Sequence, residues 1–134
     1  DLNPLFRNQE NINFVKDAMF AATNEAGGTS FRSRHNEQKF MFAGKTGSSQ
    51  IKRFTELQRE LEIKQKDIEY KDRDHALFVA FAPYKDPKYS ISVVVEHGGT
   101  GSGSAAPIAK QVIKKVLERD QLRVNVENLT GEEI

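Results

Sequence analysis

The chain has 134 residues, with Lys plus Arg at 20 against Asp plus Glu at 19 and a net charge of +1. That length suits one domain or a piece of one, long enough to bury a core, and the dispersed, balanced charge offers no basic patch for nucleic acid. Zero cysteines exclude disulfides and thiolate metal sites, and no apolar run nears the ~18 residues of a spanning helix.

Residues 1–10 are a polar lead-in containing Pro4; the missing initiator Met and the absence of a signal peptide read as a processed or excised segment. From Asn11 or Asn13, either of which suits an N-cap, Phe14, Ala18, Met19 and Ala22 recur at helical spacing. They predict a helix with one buried stripe, stopped by Gly27-Gly28. A polar connection over 29–38 leads into the apolar stretch Lys39–Gly44, which predicts a strand ending in Lys45-Thr46-Gly47-Ser48. This tetrapeptide organises the chain. The lysine supplies charge, the hydroxyls supply donors, and Gly47 removes the side chain that would block close approach of a ligand. Such a set suits gripping an anionic group beside an exposed strand edge, although the same string also fits an ordinary turn.

Residues 51–74 are too charged for core and read as a surface insertion, with Thr55–Lys66 a candidate exposed helix capped by Thr55. His75–Ala82 and Ser90–Val95, separated by a turn with Pro83 and Pro87, predict a hairpin. Its first strand is apolar on both faces, as expected of one covered by helices on both sides. Gly98–Gly103 reads as a flexible loop, and Ser104 as the cap of a helix with Pro107 in its first turn. Ile108, Val112, Ile113, Val116 and Leu117 are its expected buried stripe. From Asp120 the tail over 120–134 is polar, with Leu122, Val124 and Val126 alternating as in a short extended piece. The order of helix, strand, insertion, hairpin and helix predicts an α+β domain, an antiparallel sheet flanked by helices.

Other candidate sites carry less. The Gly98–Gly103 run precedes a helix, but no lysine follows its last glycine and the G-x-G-x-x-G spacing is absent, so a plain connection is expected. His35, His75 and His97 lack metal-ligand spacing, and His75 reads as a packed, hydrogen-bonded histidine; Glu96 and His97 read as neighbours on opposite faces of a strand. No metal and no cofactor are expected. Ser49-Gln50-Ile51-Lys52 matches the S-x-x-K nucleophile signature. That chemistry needs the serine at a helix N-terminus with the lysine one turn on, whereas here the tetrapeptide continues the Lys45 strand; it reads as a chance match.

Taken together, Lys45-Thr46-Gly47-Ser48-Ser49-Gln50, the stretch Asp74–Tyr84 and the stretch Ser92–Gly99 resemble the class B penicillin-binding proteins, most closely their cell-wall elongation transpeptidases. The likeness runs from about Phe14 to Leu117, and the helix ending in Gly-Gly-Thr fits it. It implies a partial penicillin-binding, serine β-lactamase-like transpeptidase fold: the last three strands and final helix of a five-stranded sheet, here the C-terminal part of the domain over 1–134. The S-x-x-K helix, the S-x-N loop, two strands and a membrane anchor belong upstream in that family, so the nucleophile is not expected in this chain.

The resemblance further implies a parent enzyme that cross-links peptidoglycan stem peptides at the periplasmic face of the bacterial inner membrane and is acylated by β-lactam antibiotics. Its implied partners include a cell-wall elongation glycosyltransferase and scaffold proteins. Carried onto this chain, Lys45 supports electrostatics and proton transfer, and the hydroxyls of Thr46 and Ser48 hold the substrate carboxylate. Gly47 permits close approach, the Ser48 backbone N–H is one of two oxyanion donors, and Gln50 only supports the strand. A serine β-lactamase or a β-lactam sensor domain would share much of this pattern. The fragment alone is expected to be inactive and to self-associate through bare sheet surface.

Overall fold

The structure is a computed structural model and describes residues 8–52 and 64–130, with side chains of the last stretch as far as Asn125. Helix α1 spans Gln9–Asn24, and its cap is Asn8, whose side chain accepts the Glu10 N–H at 2.8 Å. The cap therefore precedes both expected asparagines. Nor is the expected stripe buried: Phe14 is 75% exposed, and Thr23 is the residue that α1 buries fully. In place of a fully buried apolar stripe, the helix is held by Thr23 in its last turn and by Tyr84, whose ring lies 4.2 Å from that of Phe20 and whose hydroxyl donates to Asp17 at 2.7 Å. Gly27, at φ +90°, turns the chain after it.

Two short 3₁₀ turns, Phe31–Ser33 and Gln38–Phe40, lead to strand β1, Ala43–Ser49. The strand thus starts later than its apolar lead-in predicted. Phe40 and Phe42 drop into the core before it, and Lys45-Thr46-Gly47-Ser48 occupies its middle and not its end. Strands β2, His75–Ala82, and β3, Tyr89–Val95, form the expected hairpin, and the sheet is antiparallel in the order β1-β2-β3. Lys45 faces Val79, Thr46 faces Phe78, and Gly47 faces Leu77.

The sheet is covered unequally. Ala76, Phe78, Ala80 and Ala82 are buried on one face of β2, whereas Val79 and Val94 on the other are 47% and 60% exposed. The expectation of helices on both faces of β2 is therefore met on one face only among the described residues. On the covered face lies a turn of π-helix, Gly101–Ala105, running into helix α2, Ala106–Thr130. Its contact row is Ala105, Ala106, Ala109, Ile113 and Leu117, while Ile108 and Val112 are 44% and 43% exposed. Three alanines at the front seat the helix close to the sheet, and that rotation turns Ile108 and Val112 away from it.

The tail is helical to Thr130, not extended. The alternation of Leu122 and Val124 marks no buried face, as they are 64% and 45% exposed, and a helix already nucleated on the sheet extends even through weaker helix formers such as Val124 and Asn125. Of the candidate helix Thr55–Lys66, residues 55–63 lie outside the described residues, and Gln65–Asp67 is a single 3₁₀ turn. That turn is tied down by the Gln65 amide, which donates to Asp74 Oδ2 and accepts the Asp74 N–H, each at 2.9 Å.

Two outcomes follow from this packing. Thr23→Val should lower unfolding free energy by about 2 kcal/mol, because it strips partners from the buried N–H and C=O of Gly44 at ~1 kcal/mol each; urea unfolding reads it, and a change below about 0.5 kcal/mol would refute the role. The exposed Val79 and Val94 face should drive concentration-dependent association in sedimentation velocity, weakened by Val94→Lys; a monomer at all concentrations would refute that.

Candidate functional site

Strand β1 is an edge strand, so one side of its backbone pairs with β2 and the other must find partners elsewhere. At Gly44 the outer side is closed by α1. The Thr23 hydroxyl accepts the Gly44 N–H and donates to the Gly44 carbonyl, both at 3.1 Å. Ser30 Oγ lies 3.2 Å from Thr23 Oγ1 and donates to the Ala22 carbonyl at 3.0 Å. Nearby, the Asn24 amide donates to the Phe42 carbonyl at 2.9 Å.

Successive strand residues aim their N–H and C=O groups at opposite edges. Since Gly44 points outward, so do Thr46 and Ser48, while Lys45 and Gly47 pair inward with Val79 and Leu77. Among the described residues nothing hydrogen-bonds the Thr46 N–H or either backbone group of Ser48. The Thr46 carbonyl accepts from Lys45 Nζ at 2.9 Å, with Thr46 Oγ1 at 3.4 Å from the same ammonium. By alternation the Lys45 side chain starts from the opposite face to Thr46 and Ser48. Its ammonium therefore folds back over the edge and meets the Thr46 hydroxyl. Thr46 Oγ1 in turn donates to Thr29 Oγ1 at 3.1 Å, linking β1 to the Gly27-Gly28-Thr29 turn.

The structure thus gathers Lys45, Thr46 and Ser48 along one open edge, and Gly47 lies between them. Two further glycines escaped the sequence reading. A Cβ on Gly44 would run into the Phe78 ring and sit 2.9 Å from the Val79 carbonyl. A Cβ on Gly101 would meet the Leu77 carbonyl and lie 2.7 Å from that of Gly47. Gly98–Gly103 is therefore a packed turn against β1 and β2 and not the loose connection expected. Its cap is Thr100, which accepts the Gly103 N–H at 3.2 Å, while Ser104 Oγ, the expected cap, donates to the Gly98 carbonyl at 2.6 Å.

Ser49-Gln50-Ile51-Lys52 has no helical geometry: Ser49 ends β1, and Lys52 is 2.8 Å from Asp72. Their shared hydrogen bond raises the Lys52 pKa and lowers that of Asp72, the wrong direction for an amine that must take a proton. Among the histidines, His75 is packed as expected, its Nδ1 accepting the His97 N–H at 3.0 Å. His97 lies past the end of β3 in a turn at φ +54°, so Glu96 and His97 are not strand neighbours. His35 Nε2 lies 3.1 Å from the Lys110 carbonyl beside Phe40 and Phe42, and burial lowers its pKa. No group of three or more His, Asp or Glu suited to a metal occurs among the described residues.

What the edge can do follows from its open groups. Free N–H and C=O groups accept an extended peptide as an added strand, and an ammonium flanked by hydroxyls compensates an anionic group on it.

Comparison with known proteins points the same way. Residues 6–114 match the family described as penicillin binding protein transpeptidase domain. Over 104 residues the chain is 34% identical to the peptidoglycan D,D-transpeptidase MrdA of Salmonella typhimurium, covering 78% of this chain and 16% of that protein. The Escherichia coli K12 MrdA is 27% identical over 118 residues, covering 88% and 17%. Among solved structures, PBP2 in a complex with MreC from Helicobacter pylori superposes with TM-score 0.66 at 31% identity, covering 81% of this chain and 17% of that one. Pseudomonas aeruginosa PBP2 in complex with WCK 5153 gives 0.60 at 32%, covering 81% and 19%. The chain spans about one sixth of the length of the curated relatives it matches. Its three antiparallel strands and helices are part of the fold those structures share, and the chain belongs to the penicillin binding protein transpeptidase family.

Proposed function

We propose that this chain is the C-terminal part of the transpeptidase domain of a peptidoglycan D,D-transpeptidase, and that β1 is the strand on which the stem peptide lies. The observation that carries the reading is the β1 edge: closed at Gly44, open from Thr46 to Ser48, and furnished there with Lys45 and two hydroxyls.

An extended peptide ending in D-alanyl-D-alanine pairs with the outward groups of Thr46 and Ser48, and the hydroxyls of Thr46 and Ser48 hold its carboxylate. A serine outside this chain attacks the carbonyl of the penultimate D-alanine, the terminal D-alanine leaves with the proton, and an amine of a neighbouring stem takes the acyl group. The Ser48 N–H serves as one of two donors to the oxyanion, and Lys45 stabilises charge around the proton transfers. β-Lactams acylate the same serine. The parent works at the periplasmic face of the inner membrane beside a glycosyltransferase and scaffold proteins; the MreC complex of the Helicobacter pylori relative supports the scaffold part.

The chain alone, incubated with a fluorescent penicillin, should carry no hydroxylamine-labile adduct by gel and intact mass. A stoichiometric adduct would mean that a serine here is competent and would overturn the assignment of the nucleophile. In the longer protein that carries this segment, Lys45→Ala should slow acylation by about 10²-fold or more, the scale of losing one group that stabilises charge in the transition state. Acylation within about twofold of the parent would remove Lys45 from the mechanism.

A further inference from the structure

A second opening adjoins the β1 edge. Between the 27–33 turns and the first turns of α2 lies a cleft of about 780 Å³. Arg32 and Lys110 line it together with the hydroxyl residues Thr29, Ser33 and Ser102, and no carboxylate lines it among the described residues. In a chain with 19 acids against 20 bases, a lining of two cations and no acid is a local excess of positive charge. Neither cation has an ion pair or hydrogen-bond partner through its side chain among the described residues. Arg34, close by, differs, since its guanidinium lies 3.7 Å over the Phe31 ring and donates to the Phe31 carbonyl. The basic opening beside Lys64 and Lys66 differs too, because its Arg73 guanidinium is held by the Ile68 and Lys66 carbonyls.

The walls of the cleft are fixed in advance. Ser30 N–H and Oγ both bond the Ala22 carbonyl at 3.0 Å, His35 pins the Lys110 carbonyl at 3.1 Å, and Ser104 pins Gly98. Thr29, on one wall, bonds Thr46; Ser102, on the other, follows Gly101, which rests on Gly47. Both walls of the cleft are thereby tied to the stretch of β1 that holds the free Thr46 N–H and the free backbone groups of Ser48.

We propose that this cleft is an anion subsite that takes a second carboxylate of the peptide lying on β1, with Arg32 and Lys110 as its cations. The inference rests on the reading of β1 as a peptide-pairing edge and deepens it by assigning an acidic residue to the peptide. Charge-assisted contacts of this kind strengthen weak peptide binding and, above all, select among sequences.

Amide chemical shifts of the full chain test it with three probes: a tetrapeptide ending in D-alanyl-D-alanine with an acidic N-terminal residue, the same peptide with that side chain amidated, and free glutarate. The acidic peptide should move Ser33, Ser102 and Gln111 as well as Thr46 and Ser48, and bind about fivefold or more tighter than its amide. Arg32→Gln with Lys110→Gln should erase that preference while the strand amides keep their positions, and Lys110→Arg should retain it. Equal affinity for the two peptides, with Thr46 and Ser48 moving in both, would overturn the subsite and leave the edge reading standing. Movement of the cleft amides alone, with Thr46 and Ser48 still, would overturn the edge reading instead. Glutarate binding as tightly as the acidic peptide would overturn the peptide as the ligand.

Discussion

A sheet edge must dispose of its outward N–H and C=O groups; among the described residues this is complete at Gly44, whereas beyond it only the Thr46 carbonyl is met, by Lys45 Nζ. One hydroxyl, Thr23 Oγ1, meets both backbone groups of Gly44. That position has to be glycine, because a Cβ there would enter the space of the Phe78 ring. Phe78 is fully buried and meets Phe42 edge-on at 6.2 Å. The helix end, the edge and the aromatic centre of the core are thus joined at a single residue. Two residues further along, the same edge is left open, and there Lys45, Thr46 and Ser48 stand. A closed edge followed at once by an open one gives the free groups a fixed position, which a peptide-pairing surface needs.

The second constraint is closeness. Gly101 lies against the Leu77 and Gly47 carbonyls, and Ala105, Ala106 and Ala109 carry α2 over the sheet with almost no side-chain standoff. A layer packed so tightly admits little rotation of the helix. Ile108 and Val112 are turned outward as a consequence, and Lys110 is brought to the cleft that adjoins β1. The glycine run before α2 therefore works in two ways: Gly101 removes bulk where backbones touch, and Gly99 takes the turn at φ +82°.

Much of this was legible in the chain itself. The hairpin, the order of elements, the α+β class and the Lys45–Ser48 string followed from β-branched runs, turn prolines and the spacing of charge. What escaped were features whose signal lies in another part of the chain. Thr23 looks like any polar residue near a helix end until Gly44 is placed beside it, 21 positions away. Gly44 looks like the close of an apolar run and Gly101 like a loop glycine until Phe78 and Leu77 show what a Cβ would strike. Periodicity chose Ile108 and Val112 for the core because they are large, whereas the sheet selects the alanines because they are small. Alternation in the tail suggested an extended piece because a two-residue period was read without a surface to bury it.

The same edge explains why the nucleophile has to come from elsewhere on the proposed reading. An attacking serine must face the carbonyl of a peptide that itself lies in the plane of the sheet beside β1. Ser48 is on that strand with its backbone directed outward, so it can receive the oxyanion but cannot also approach from the far side. Ser49 is directed inward at its backbone, opposite His75, and its sequence partner Lys52 is committed to Asp72. A strand that serves as the template for the peptide is thereby excluded as the source of attack on it. The arrangement calls for a second wall that faces the Thr46–Ser48 edge, with its serine activated independently of Lys52.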